Sequence, residues 1–282
     1  VSARQRYRAL ADMSQDIDRV LHGLDSQTIA ACDEGELAIL SSEIRKMTVR
    51  LRQAADSQHR ERMQLADAMA DISHQLRTPL TAINLTLSML GREGLPEQER
   101  RALLQELRRL VTRMEWLVET LLKMSRIDAG AVSFREESCR AADIIRRAAQ
   151  PLAVPMELRG ITLETAAGEE CFTGDAAWSA EALGNVLKNC MEHAASYIRV
   201  SARETALFTE ITVQDDGPGF RAEDLPRLFE RFYRGKDAAP ASVGIGLALA
   251  RMVLSAQNGT IRADNACPGG ALFTLRWYRS TV

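Results

Sequence analysis

Apolar residues recur at helical spacing through most of the first 130 residues. Leu37, Leu40, Ile44, Met47 and Leu51 step by three and four, the seam of a helix that packs along another. The seam turns polar at Gln58 and Glu61, resumes at Leu65, Met69, Ile72 and Leu76, and continues past Pro79 through Leu80, Ile83, Leu87 and Leu90. The stretch GREGLPEQER (residues 91–100) interrupts it: glycines end one helix, and Pro96 followed by acidic and amide residues starts the next. This second helix carries Leu103, Leu107, Leu110, Met114, Leu117 and Leu121, with Leu104, Val111 and Val118 widening the stripe. The pattern predicts two long amphipathic helices joined as an αα-hairpin. One hairpin cannot cover so wide a stripe, so a second copy is expected to complete a four-helix bundle. The same periodicity also fits a plain structural stalk.

Beyond RIDAG (residues 126–130) the period changes. Short β-like runs at 161–164, 198–202, 208–214 and 271–277 alternate with helical runs at 141–152, 176–195 and 243–256. They predict a compact α/β domain of about 150 residues, an ordinary domain size. The full length of 282 residues leaves room for this domain, the hairpin and a helical extension. A formal net charge of −2 argues against nucleic acid as a partner. Cys32, Cys139, Cys171, Cys190 and Cys267 contain no CxxC pair, and read as reduced thiols rather than a disulfide frame or zinc site. No apolar run approaches the ~18 residues needed to cross a bilayer. The chain begins at Val1 in the middle of a charged helical pattern, so further sequence upstream is expected.

Chemistry concentrates in a few short stretches. If Ile72 and Leu76 face the seam, His74 lies on the opposite side of the helix, displayed to solvent. Thr78, four residues on, shares that face. Taken alone, each is as well explained as an ordinary surface residue. Pro79 strengthens the case: a proline inside a helix costs about 3 kcal/mol, which suggests that a bend or local mobility one turn after His74 has a use. In the second domain, NVLKNCMEHA (185–194) places Asn185 and Asn189 one turn apart on a helix. DDGPGF (215–220) follows a strand, with a carboxylate just before glycines that permit close backbone approach to a flat ligand. VGIGLALA (243–250) sets glycines at a helix start, where free amides favour phosphate.

In this order the stretches resemble the cytoplasmic part of a bacterial two-component sensor histidine kinase. HQLRTPL is similar to the phospho-acceptor box, NVLKNCMEHA to the asparagine box, DDGPGF and GIGLALA to the glycine boxes, and LFERFYRG to the phenylalanine box. DEGELAIL, from Asp33, is similar to the signature of a HAMP linker. The resemblance implies a HAMP-like helical linker over residues 1–60, a dimerisation and phosphotransfer hairpin over 61–130, and an α/β-sandwich (Bergerat-type) ATP-binding domain over 131–282. It implies that His74 takes a phosphoryl group from ATP, with Gln75 beside it and Thr78 orienting water to dephosphorylate the regulator. Asn189 is expected to hold Mg²⁺, supported by Asn185. Asp215 is expected to accept from the adenine amine, with Gly217, Gly219 and His193 in the pocket. Residues 229–242 are expected to form a lid ending at the phosphate-facing Gly244 and Gly246, with Arg231, Arg234 and Lys236 as γ-phosphate contacts. Implied partners are a second copy of the chain and a response-regulator receiver domain docking near Ile83 and Leu87. The resemblance also implies that the membrane is reached only through a segment upstream of Val1.

Three positions depart from the family pattern. Gln75 stands where an acidic residue is common, Glu192 where a lysine or arginine is usual, and Ser242 in place of a further glycine. They support an alternative from another class: a regulatory scaffold that binds ATP weakly and acts mainly, through Thr78, as a regulator phosphatase. Chaperones and topoisomerases share the ATP fold, but have no need of a histidine-bearing hairpin.

Overall fold

The computed structural model describes residues 36–235, 242–267 and 269–279. Most of the expected HAMP-like stretch, and Lys236 with the rest of the central lid, lie outside the described residues. The chain divides into two compact units, one ending at Ile72 and the other beginning at Ser73. The described part of the first is helix, with Met47 and Leu51 of the seam largely exposed and a Glu43–Lys46 ion pair on its surface.

Helix α1 (Glu36–Leu90) runs through Pro79 without a break. Proline leaves the carbonyl one turn back without its amide donor, and the sequence suggests a bend there, yet the helix continues. Beyond it, hydroxyls of Thr81, Thr86 and Ser88 each donate to the carbonyl four residues earlier at 2.9 Å. Helix α2 (Glu97–Asp128) starts directly after Pro96, with Glu97 and Glu99 in the first turn, where acidic groups complement the helix dipole. Its buried side is Leu110, Leu117, Thr120 and Met124. Leu104, Val111 and Val118, one heptad apart, are each more than 40% exposed.

After α2 come β1 (Glu137–Arg140), α3 (Ala141–Ala149), a 3₁₀ turn, α4 (Ala153–Leu158), β2 (Thr162–Ala166), β3 (Cys171–Gly174) and α5 (Ala176–His193). They are followed by β4 (Tyr197–Glu204), β5 (Phe208–Asp215), α6 (Gly246–Ala256), β6 (Gly259–Asn265) and β7 (Ala271–Tyr278). A five-stranded sheet has the order β2-β4-β5-β7-β6, with only β2 and β4 parallel; β1 and β3 form a separate antiparallel pair. Strand alternation sends Ile198 and Val200, Ile211 and Val213, and Phe273, Leu275 and Trp277 inward. Helices α5 and α6 cover that face with Leu183, Val186, Leu187, Val253 and Leu254, all with no measurable exposure. This is the expected α/β sandwich, with helices layered on one face of a mixed sheet.

Candidate functional site

The β5 alternation that buries Ile211 and Val213 also carries Asp215 to the inner face, where it is 1% exposed. Its Oδ1 accepts from the amides of Gly217 and Ala271, both at 2.9 Å. Its Oδ2 is equally buried and has no hydrogen-bond partner among the described residues. A buried carboxylate oxygen left unpaired is costly, so the arrangement suits an N–H donor from a ligand. Beneath it, burial and the Asp215 charge push the Cys190 thiol well above its ordinary range, so that it stays neutral.

A cavity of about 450 Å³ opens above Asp215. Helix α5 supplies Asn185, Lys188, Asn189, Glu192 and His193; the loop after β5 supplies Gly219 and Phe220; the start of α6 supplies Gly244 and Gly246. The N-terminus of α5 is anchored by Asp175, whose Oδ1 accepts from the amides of Ala177 and Trp178. Asn185 is oriented by donating Nδ2 to the Glu181 carbonyl at 3.0 Å. Its Oδ1 lies so close to Gly246 that a Cβ there would come within 2.8 Å. Gly244, at φ +76°, makes the left-handed turn that brings the first amides of α6 to the cavity.

Most of the nucleotide-site residues expected from the sequence therefore meet in one cavity. Gly217 is the exception: it does not line it, and its closeness is to the His193 backbone. Arg231 is also placed elsewhere. Its Nη2 lies 2.7 Å from Asp128 Oδ2, tying the phenylalanine-box segment to the end of α2 rather than facing the cavity. Several lining residues were not singled out in the sequence, Lys188 and Trp116 among them. Lys188 sits between the two asparagines on the same helical face, a legible spacing; Trp116 comes from α2 and had no local signal. No cluster of three or more His, Cys, Asp and Glu side chains able to hold a metal occurs among the described residues.

His74 is exposed on α1 and is not among the cavity-lining residues. Thr78 is exposed beside it, its hydroxyl donating to the His74 carbonyl at 3.2 Å. Gln75 is half-buried, and Pro79 is buried.

Fold and site together define an ATP-binding domain joined to a helical phospho-acceptor hairpin. Residues 64–130 match the His Kinase A (phospho-acceptor) domain, and residues 174–281 the histidine kinase-, DNA gyrase B- and HSP90-like ATPase. The chain belongs to the sensor histidine kinases of bacterial two-component systems. It is 31% identical over 280 residues to the signal transduction histidine-protein kinase/phosphatase MprB of Mycolicibacterium smegmatis, covering 95% of this chain and 54% of that one. It is 33% identical to the histidine-protein kinase AfsQ2 of Streptomyces coelicolor, covering 74% of this chain and 41% of the relative. The chain thus spans about half the length of such relatives. The histidine kinase AdeS of Acinetobacter baumannii has the same fold, with a TM-score of 0.60 at 21% identity, over 74% of this chain and 98% of that one. No helix among the described residues is long and apolar enough to cross a membrane.

Proposed function

We propose that this chain is the transmitter portion of a homodimeric sensor kinase that phosphorylates His74 from ATP and passes the group to an aspartate of a response regulator. The observation that carries this reading is the buried, half-satisfied Asp215 beneath a cavity in a chain that also displays an exposed histidine on a long helix. Asp215 Oδ2 is a ready acceptor for the adenine amine. Asn189 lines the same cavity, and its carboxamide oxygen is a hard ligand that would suit Mg²⁺. His193 and Arg234 line the same cavity and are assigned to nucleotide contact. In the transfer step, a ring nitrogen of His74 forms a bond to the γ-phosphorus while the bond to the β–γ bridging oxygen breaks and ADP departs.

The exposed heptad stripe of Leu104, Val111 and Val118 supports pairing with a second copy. The similarity of residues 33–40 to a HAMP signature supports a linker that reaches the membrane through a segment upstream. Thr78, exposed one turn after His74, is assigned to orient water on a docked regulator, and the kinase/phosphatase name of the MprB relative supports that second activity. Incubation with Mg²⁺ and γ-labelled ATP tests the reading. Wild-type protein should take up an acid-labile, base-stable label, and Asp215→Ala should take up almost none. Nucleotide binding without any label would favour the regulator-phosphatase scaffold instead.

A further inference from the structure

Helix α5 presents Asn185, Lys188, Asn189 and Glu192 to the cavity at the spacing of one helical face. The two charged members face the same space, and neither makes an ion pair among the described residues. The Lys188 ammonium instead rests 4.4 Å from the centroid of the Trp116 ring, which α2 extends to the cavity edge. An aromatic face holds an ammonium weakly at a partly open site; a phosphate oxygen holds it more firmly.

Arg234 also lines the cavity, and Arg113, one turn before Trp116 on α2, has its guanidinium pushed below the ordinary range by burial, then by the like charges of Arg109 and Arg234. Glu192 acts in the opposite sense, since its carboxylate at the wall repels a triphosphate. On this helical face the countering charge comes from Lys188.

We propose that Lys188 is the phosphate-binding cation of this cavity and that Trp116 is its resting place in the nucleotide-free protein. Triphosphate and the α2 ring then compete for one ammonium, so nucleotide binding weakens the contact between the ATP-binding domain and the hairpin. By linkage, removing the ring strengthens nucleotide binding. The inference rests on the nucleotide reading of the cavity, and adenosine separates the two because it carries the base without the phosphates.

Titration calorimetry on the full chain, with ATP, ADP and adenosine in Mg²⁺, provides the test. Lys188→Ala should weaken ATP by about tenfold, the size expected for one partly exposed charge-assisted contact. It should weaken ADP less and leave adenosine unchanged, and Lys188→Arg should restore most of the loss. Trp116→Leu should tighten ATP by about two- to fivefold, with adenosine unchanged. Trp116→Phe, which keeps the packing with a weaker ring, should fall between. Equal effects of Lys188→Ala on all three ligands, or no effect, would overturn the proposal while leaving the nucleotide reading intact. So would weaker ATP binding by Trp116→Leu. Wild-type protein that bound neither ATP nor adenosine would overturn the nucleotide reading, and this inference with it.

Discussion

At Asp215 one carboxylate oxygen is held by two backbone amides while the other, equally buried, is unpaired. Such a site discriminates strongly, because a ligand without an N–H donor leaves it unsatisfied. Wild-type protein should therefore bind ATP about tenfold or more tighter than inosine triphosphate, whose base carries a carbonyl in place of the amine. Asp215→Asn should narrow that ratio, as competition binding would show. The neighbouring Asp216 has a different task. It accepts from the amides of Ala195, Ser196 and Tyr197 and from the Ser196 hydroxyl, closing the turn between α5 and β4. Burial alone raises its carboxyl, but these donors together win and hold it down to about 2. A lowered folded value means that Asp216 stabilises the domain above the ordinary carboxylate value of 3.8, and that this stability is lost as pH falls through about 2. Melting curves of wild type and Asp216→Ala should differ at neutral pH and converge in that acid window. Gln75 governs rate. A carboxylate beside His74 would stabilise the positive charge that builds on the ring during attack, whereas an amide only fixes the tautomer. Gln75→Glu should speed single-turnover phosphorylation about tenfold or more, with nucleotide affinity unchanged. Equal or slower transfer would show that Gln75 is no handicap.

Periodicity made the long elements legible. The breaks at Gly91 and Pro96 and the apolar stripes gave both hairpin helices, and alternation gave β4, β5 and β7 nearly to their ends. The missed strands β1, β3 and β6, and the missed helix α4, are short or lack a clear apolar run: Glu137–Arg140 is largely polar, Gly259–Asn265 alternates around only Ile261 and Ala263, and Ala153–Leu158 is six residues long. The strand conformation of β1 and β3 comes from pairing with each other across more than thirty residues, which no local window contains, whereas β6 is held by a hairpin with the adjacent β7. The site divides the same way. Asparagines and glycines in short boxes were readable, whereas the amide of Ala271 and the ring of Trp116 reach the cavity from far along the chain. On α1, Thr78 sits one turn from His74 on the exposed face, so Thr78→Ala should leave phosphorylation of His74 largely intact while prolonging the life of the phosphorylated regulator. An unchanged lifetime would remove the water-orienting role. On α2, Val111→Asp would place a charge in the middle of the exposed stripe. It should shift the protein from dimer to monomer in sedimentation, with little change in the fold of the ATP-binding domain.

Across the whole molecule, acceptor and donor sites are built by separate elements: His74 on α1, the cavity by α5, α6 and the loop after β5. On the proposed mechanism, the nucleotide has to be carried to His74, within one chain or between two. The contacts between the ATP-binding domain and α2 combine an apolar patch, with Leu117 and Met124 buried in one cluster with that domain's core, and polar links, Lys123 to Glu181 and Arg231 to Asp128 at 2.7 Å each, together with Lys188 on Trp116. Of these, the exposed Arg231–Asp128 pair holds weakly and is open to exchange. The separation also predicts that His74→Ala abolishes phosphorylation without loss of ATP affinity, whereas Asn189→Ala loses Mg²⁺-dependent nucleotide binding. The most direct test of the central claim is to locate the phosphoryl group itself. After incubation with Mg²⁺ and ATP, peptide mapping under alkaline conditions should find phosphate on the ring of His74 and nowhere else, and none in the His74→Ala protein. Phosphate on any other residue, or label retained by His74→Ala, would contradict the account.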